Sequence, residues 1–269
     1  MIGVEVVKLL RRPRTWVSIG LLCLLPTVVA VFVARTDVAP RPGQGPAFLS
    51  AVLSSGTLFP AAALALVLPL FLPIAVAVVA GDSVAGEASA GTLRYLLVRP
   101  AGRTRLLVAK LVTVVVFVML AVFSVAISAY VVGTQLFGNA PVDVTSVSGS
   151  SLTAREVAVR TVIAIAYVGW SMMGVASVSL FLSTVSDSSL GAALGALAAL
   201  VMSQVLVTLD AAASVSPYLP TRYWLSWVDL FRDPVLWHDV QRGAAVQGVY
   251  VAVLLAMSWA NFATKDVTS

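Results

Sequence analysis

The chain has 269 residues, of which 59% are hydrophobic and only 11% charged, with a net charge of +5 and a mean hydropathy of +0.99. So little polar surface cannot keep a folded chain in water, and the composition reads as an integral membrane protein. The positive excess gathers near expected membrane ends, which favours lipid headgroups over nucleic acid as neighbours, and the single cysteine, Cys23, excludes an internal disulfide or a cysteine metal pair.

Residues 1–14, MIGVEVVKLLRRPR, put Ile2, Val6, Leu9 and Leu10 on one helical face and Glu5, Lys8 and Arg12 on the other, the pattern of an interfacial helix. A basic start before an apolar run also fits a signal peptide. No A-x-A-like site closes that run, however, and it is long enough to span a bilayer. Six stretches have the length and apolarity of spans, at about 15–34, 58–80, 104–133, 157–182, 188–209 and 243–263. No internal repeat and no soluble domain is visible, so 1–269 reads as one all-α transmembrane domain.

Basic residues orient these spans. Lys8, Arg11, Arg12 and Arg14 precede the first, and Arg94, Arg99, Arg103, Arg105 and Lys110 flank the second connection, which places both regions and the C-terminus with Lys265 in the cytoplasm. The opposite side holds Arg35, Arg41, Arg155, Arg160, Arg222, Arg232 and Arg242, a bias of ten against seven.

The outer connections at 35–57 and 134–156 are short, polar and rich in Gly, Ser or Pro. The last, 210–242, places Trp224, Trp227, Val228 and Phe231 at i, i+3, i+4 and i+7. That spacing predicts an amphipathic helix lying in the outer interface or dipping into it, with a plain aromatic belt as the competing reading. Two spans carry more than hydrophobicity. The second contains Pro60, Pro69 and Pro73, which free backbone carbonyls that only protein or a water-lined path can satisfy. The fifth contains Gly191, Ala192, Gly195, Ala196 and Ala199, a small-residue surface for close helix approach, with Ser203 and Gln204 as rare polar groups.

The stretch 82–110, DSVAGEASAGTLRYLLVRPAGRTRLLVAK, is the long charged interruption of the first half. Leu93, Leu96 and Leu97 form one helical stripe and Pro100 stops it, predicting a short helix over 86–98. The order Asp82, Gly86-Glu87, Gly91-Thr92-Leu93, Leu96-Leu97, Arg99-Pro100, Arg103 and Lys110 resembles the region after the second span in permease subunits of ABC-2 type exporters, which have the type V ABC transporter fold. The resemblance is sharp over about thirty residues and extends over the chain in span layout.

That resemblance implies a coupling helix in which Gly86, Glu87, Gly91, Thr92, Leu93, Arg94, Leu96, Leu97, Arg99, Pro100 and Arg103 engage a separate ATPase, with Glu87 paired to a basic group there or to Arg94 or Arg103. It also implies two permease subunits, identical or different, working with two ATPase subunits that use ATP and Mg. The second and fifth spans would line a central path, which makes Pro69, Pro73, Gly191, Gly195, Ser203 and Gln204 the pathway or interface candidates. The apolar spans suit an amphipathic export substrate such as a drug, an antibiotic or a lipid.

The chain has no G-x-x-x-x-G-K-[ST] run to cradle a nucleotide, and one histidine, His238, leaves no zinc pair or Ser-His arrangement. No catalytic, cofactor or metal residue is therefore expected in this chain. Two other readings stay open. A self-sufficient carrier driven by an ion gradient would want ionisable residues at mid-membrane, and none of the six stretches has one near its centre; Asp82 and Glu87, a conceivable proton relay, lie at or beyond a span end. A membrane anchor or assembly factor is the third.

Overall fold

A computed structural model of the chain describes residues 2–35, 56–89, 91, 102–138, 144–145 and 151–264. Its helices are α1 (Ile2–Arg11), α2 (Pro13–Arg35), α3 (Phe59–Val67), α4 (Phe71–Ser89), α5 (Arg103–Phe137), α6 (Ala154–Val185), α7 (Ser189–Thr208) and α8 (Trp237–Thr264). Six of these, α2 and α4 to α8, are long and apolar enough to cross a membrane, which makes this a multi-pass membrane protein of all-helical architecture. The extended backbone among the described residues is one antiparallel pairing between α5 and α6, Val144 with Leu152 and Thr145 with Ser151.

Local chemistry sets several helix ends. Thr153 accepts the Glu156 N–H while the Glu156 carboxylate receives the Thr153 N–H, a capping box that starts α6. Ser188 accepts the Gly191 N–H at 3.1 Å and starts α7. The second span departs from the single helix expected over 58–80. Pro69 and Pro73 lack the N–H groups that a continuous helix would direct to Ala65 and Pro69, so the helix opens at 68–70 into α3 and α4. The second half then runs on to Ser89 and carries Asp82, Gly86 and Glu87 within its last turns.

α6 is the central helix. It packs against α8, α4, α7, α5 and α3, while α5 also holds α1, α2 and α3. More than half of α4, α5 and α6 is buried, whereas α2, α7 and α8 leave most of their surface on the outside. Where α5 passes the turn 56–58, two glycines face each other, and a Cβ on Gly133 would lie 2.5 Å from the Phe59 Cβ and 2.6 Å from the Gly56 carbonyl oxygen. No larger residue fits that crossing without moving backbone.

One end of the bundle gathers α1, the close of α4, the start of α5 and the close of α6 and α8. Trp259 donates to the Thr104 hydroxyl at 3.0 Å, and Asn261 donates to the Thr184 carbonyl at 3.0 Å. The helices that begin and end the described chain therefore share an end, as six crossings require.

The segment 209–236 covers the opposite end and differs from the expected amphipathic helix. It forms tight 3-10 turns, including Ser226–Phe231, and Trp227, Leu230 and Phe231 are fully buried against α6 and α8. Backbone without helical partners at this depth needs side chains to satisfy it. Arg160 donates to the carbonyls of Leu230 (3.1 Å) and Arg232 (2.8 Å), Tyr167 donates to the Tyr223 carbonyl at 2.8 Å, and Gln247 donates to that of Pro220. The aromatic spacing thus marks a protein-packed cap.

Candidate functional site

The charged residues at the α1 end form one network. Lys110 on α5 meets the Glu87 carboxylate of α4 and, at 2.7 Å, the Glu5 carboxylate of α1. Lys8 of α1 reaches Glu87 at 2.6 Å, Arg12 reaches Asp82 at 2.8 Å, and Arg14 at the start of α2 joins the same Asp82 carboxylate. Four helices are bound together by charge in this way. A small cavity of about 40 Å³ lies beside the network, lined by Glu5, Lys8, Arg12, Ser83 and Lys110 together with Leu9, Val79 and Val114. That is enough for one or two waters.

Glu87 sits on α4 itself, buried where α4 crosses α5, and Lys110 and Lys8 are among its partners; the side chains of Arg94 and Arg103, the partners expected from the sequence, lie outside the described residues. Leu9 of the N-terminal helix is buried as its apolar face predicts, but Glu5 also turns toward the bundle and Lys8 reaches Glu87 from an exposed position, while Val4, Val7 and Leu10 face outward. That helix also ends at Arg11 instead of continuing to 14.

Of the expected coupling residues, Gly86 and Glu87 belong to the end of α4, not to the start of a separate helix. A Cβ on Gly86 would collide with the Asp82 carboxylate, so the glycine leaves room for the acid to fold back toward Arg12 and Arg14. Gly91 has φ +67°, a left-handed conformation that glycine adopts without strain, suited to turning the chain just past α4. Arg103 opens α5. Thr92, Leu93, Arg94, Leu96, Leu97, Arg99 and Pro100, and with them the helix expected to 98, lie outside the described residues.

The pathway candidates are partly brought together. An apolar cavity of about 170 Å³ opens at the α3–α4 break, lined by Pro69, Leu70 and Pro73 on one side, by Leu200, Val201 and Gln204 of α7 on the other, and by Trp224 from the cap. Trp224 is 5% exposed, and its indole N–H has no hydrogen-bond partner among the described residues. Ser203 turns away and shares a hydrogen bond with Thr221 at 2.8 Å. The small-residue face of α7 is used internally: Ala192, Ala193 and Ala196 are buried, and α7 packs against α4, where a Cβ on Gly81 would come within 3.0 Å of the Ala193 nitrogen. Gly195 packs toward Leu182 of α6, and Gly191 stays on the outside.

A family model described as a protein of unknown function, DUF2705, matches residues 24–268, nearly the whole chain. The chain belongs to the DUF2705 family. No curated protein matches it in sequence. The DUF2705 match begins inside α2, so it covers Asp82, Glu87, Lys110 and the apolar cavity but not α1.

Sequence reasoning on this DUF2705 chain missed the partner of Glu87, the inward turn of Glu5 on α1, the role of Arg160 and the serines of α6. A usable signal existed for the first. Acids are scarce near the spans, and Glu5, Asp82 and Glu87 sit close to expected membrane ends that are rich in basic residues. No comparable signal marks Ser179 or Ser183, whose meaning depends on which helix α6 touches.

Proposed function

We propose that this chain is the transmembrane permease subunit of an ATP-driven exporter resembling the ABC-2 type, working with a separate ATPase and a second permease subunit. The observation that carries the reading is the ion-paired end of the bundle. α1, the close of α4 and the start of α5 are tied into one block on either side of the 90–102 connection, so force applied to that connection reaches the second and third spans together. Lys8, Arg11, Arg12, Arg14 and Arg105 mark this end as cytoplasmic. The cavity at the α3–α4 break supplies a second support, a largely apolar recess beside α7 suited to part of a lipophilic molecule with a hydrogen-bond acceptor for Trp224. ATP and Mg are used by the partner, and the exported compound is a drug, an antibiotic, a lipid or another amphipathic molecule.

The test begins with the neighbouring genes: a P-loop ATPase found among them is reconstituted with this chain, and ATP turnover and efflux are measured at matched membrane levels. Glu87→Ala and Leu93→Asp reduce turnover and efflux together, while Arg155→Lys changes neither. Full coupling in both variants removes the reading. Cysteines at Ser89 and Val215 are labelled from inside and outside respectively, and labelling of Ser89 from outside inverts the topology.

One observation favours a second reading. Glu87 and Lys110, with the partly buried Glu5, are ionisable groups within a spanning bundle, the kind that ion-driven carriers use. They lie at span ends: Lys110 is the eighth residue of the 35-residue α5, a helix of about 52 Å that exceeds the hydrocarbon thickness. Transport that persists without any ATPase and follows an imposed proton gradient selects this carrier reading.

A further inference from the structure

The backbone of α4 is held near Gly81 by a side chain from another helix. The Ser183 hydroxyl of α6 donates to the Gly81 carbonyl at 2.6 Å and accepts the N–H groups of Ala85 at 2.9 Å and Val84 at 3.1 Å. In a regular α-helix the Ala85 N–H and the Gly81 carbonyl bond to each other, so the hydroxyl stands across that pair. One helical turn away in α6, Ser179 only donates, to the Ala77 carbonyl at 2.7 Å. Both serines are fully buried. A hydroxyl inserted in the i→i−4 ladder is one of the few physical causes of a local bend in a helix.

The insertion falls at a boundary. On its N-terminal side, α4 is wedged between α6 and α7, with little room beside Gly81, since a Cβ there would lie 3.0 Å from the Ala193 nitrogen and 3.1 Å from the Ser179 hydroxyl. Asp82, bound to Arg12 and Arg14, lies within it, and Glu87, bound to Lys8 and Lys110, lies on its C-terminal side. We infer that Ser183 is a positioning residue that turns Gly81–Ala85 into a pivot, so that residues 85–89 swing as a lever with α1 and the start of α5, to which Glu87 is bound, while the preceding part of α4 stays packed. A turn bridged by a hydroxyl changes angle by exchanging partners at one oxygen, whereas a closed ladder has to stretch several bonds at once. The inference rests on the reading of this end as the coupling end and adds where the bend occurs.

The experiment uses this chain alone in lipid nanodiscs, with Cys23→Ala and spin labels on cysteines at Ser89 and Val185. Ser183→Ala lets Ala85 close directly on Gly81 and displaces the mean label distance by about 2 Å or more, beyond the 1.5 Å rise of one helical residue. Ser183→Thr, which keeps the hydroxyl, and Ser179→Ala, which removes a donor only, retain the parent distribution. An unchanged distance in Ser183→Ala, or an equal shift in Ser179→Ala, overturns the inference. Should Ser183→Ala not fold, residue-resolved hydrogen exchange of the parent chain decides it. A pivot gives a step in protection between Gly81 and Ala85, with 85–89 opening as one unit, while a smooth gradient inward from Ser89 means ordinary fraying and overturns the pivot. Neither measurement needs an ATPase or a transported compound, so failure here leaves the transport reading standing, and failure of that reading leaves the pivot standing.

Discussion

Lys110 of α5 and Glu87 of α4 close a buried ion pair between the third and second spans, each side chain only 5% exposed. Removing one member of such a pair strands a charge at a cost of about 3–5 kcal/mol when nothing else reaches it. Here Lys8 still reaches Glu87 from a side chain that is 42% exposed, so Lys110→Ala is expected to cost about 2–3 kcal/mol. Lys8→Ala removes a solvent-screened partner and costs about 0.5–1 kcal/mol. Thermal unfolding of the two variants in the same detergent checks the order; equal losses would mean the network behaves as a surface feature.

Arg160 is a cation that holds the 209–236 cap to α6. Arg160→Met leaves the carbonyls of Leu230 and Arg232 without their charged donor and destabilises by about 1.5–3 kcal/mol, the range for hydrogen bonds to charged groups. Limited proteolysis gives the local readout, with new cleavage between residues 209 and 236 in Arg160→Met and none in Arg155→Ala, whose side chain is exposed.

The glycines separate by what surrounds them. A Cβ at Gly56 would overlap the backbone of Gly133, so Gly56→Ala is expected to cost about 1–3 kcal/mol through overpacking. Nothing lies within 4 Å of a Cβ at Gly20 in α2, and Gly20→Ala gains about 0.5–1 kcal/mol of helix propensity. Opposite shifts in melting temperature are the expected result.

Gly191 is the exposed member of the α7 glycine pair, with only its own cap residues Ser186 and Ser188 near a Cβ. If the outer face of α7 meets a second permease, Gly191→Leu lowers the oligomer mass measured by light scattering without lowering the melting temperature. An unchanged mass confines the small residues of α7 to packing against α4.

Val201 lines the 170 Å³ cavity while leaving much of its side chain outside. Val201→Trp is expected to fill the recess with little change in melting temperature and to lower efflux by about tenfold, the equivalent of 1.4 kcal/mol in binding or barrier. The same efflux in Val201→Trp as in the parent would place the path elsewhere.

Six spans were legible because hydropathy is a local sum over about twenty residues, and each of those windows is apolar whatever it packs against. The prolines of the second span were legible as a perturbation, but their result, a helix opened at 68–70 with a cavity beside α7, depends on a neighbour 130 residues later in the chain. The spacing of Trp224, Trp227, Val228 and Phe231 was read with a 3.6-residue period, and the backbone answered with 3-10 turns because Arg160 and Tyr167 satisfy its carbonyls from another helix.

By itself, the sequence determined the class of protein, the number of helices long and apolar enough to cross a membrane and the clustering of basic charge near their ends, since each follows from residue type summed along the chain. Only the tertiary structure decided which charges are neutralised and which backbone groups are held. Glu87 finds Lys110 across 23 residues and Lys8 across 79, and Ser183 reaches α4 across about 100. A carboxylate or a hydroxyl acts within about 3 Å, and which groups come that close is set by helix adjacency, which no local pattern encodes.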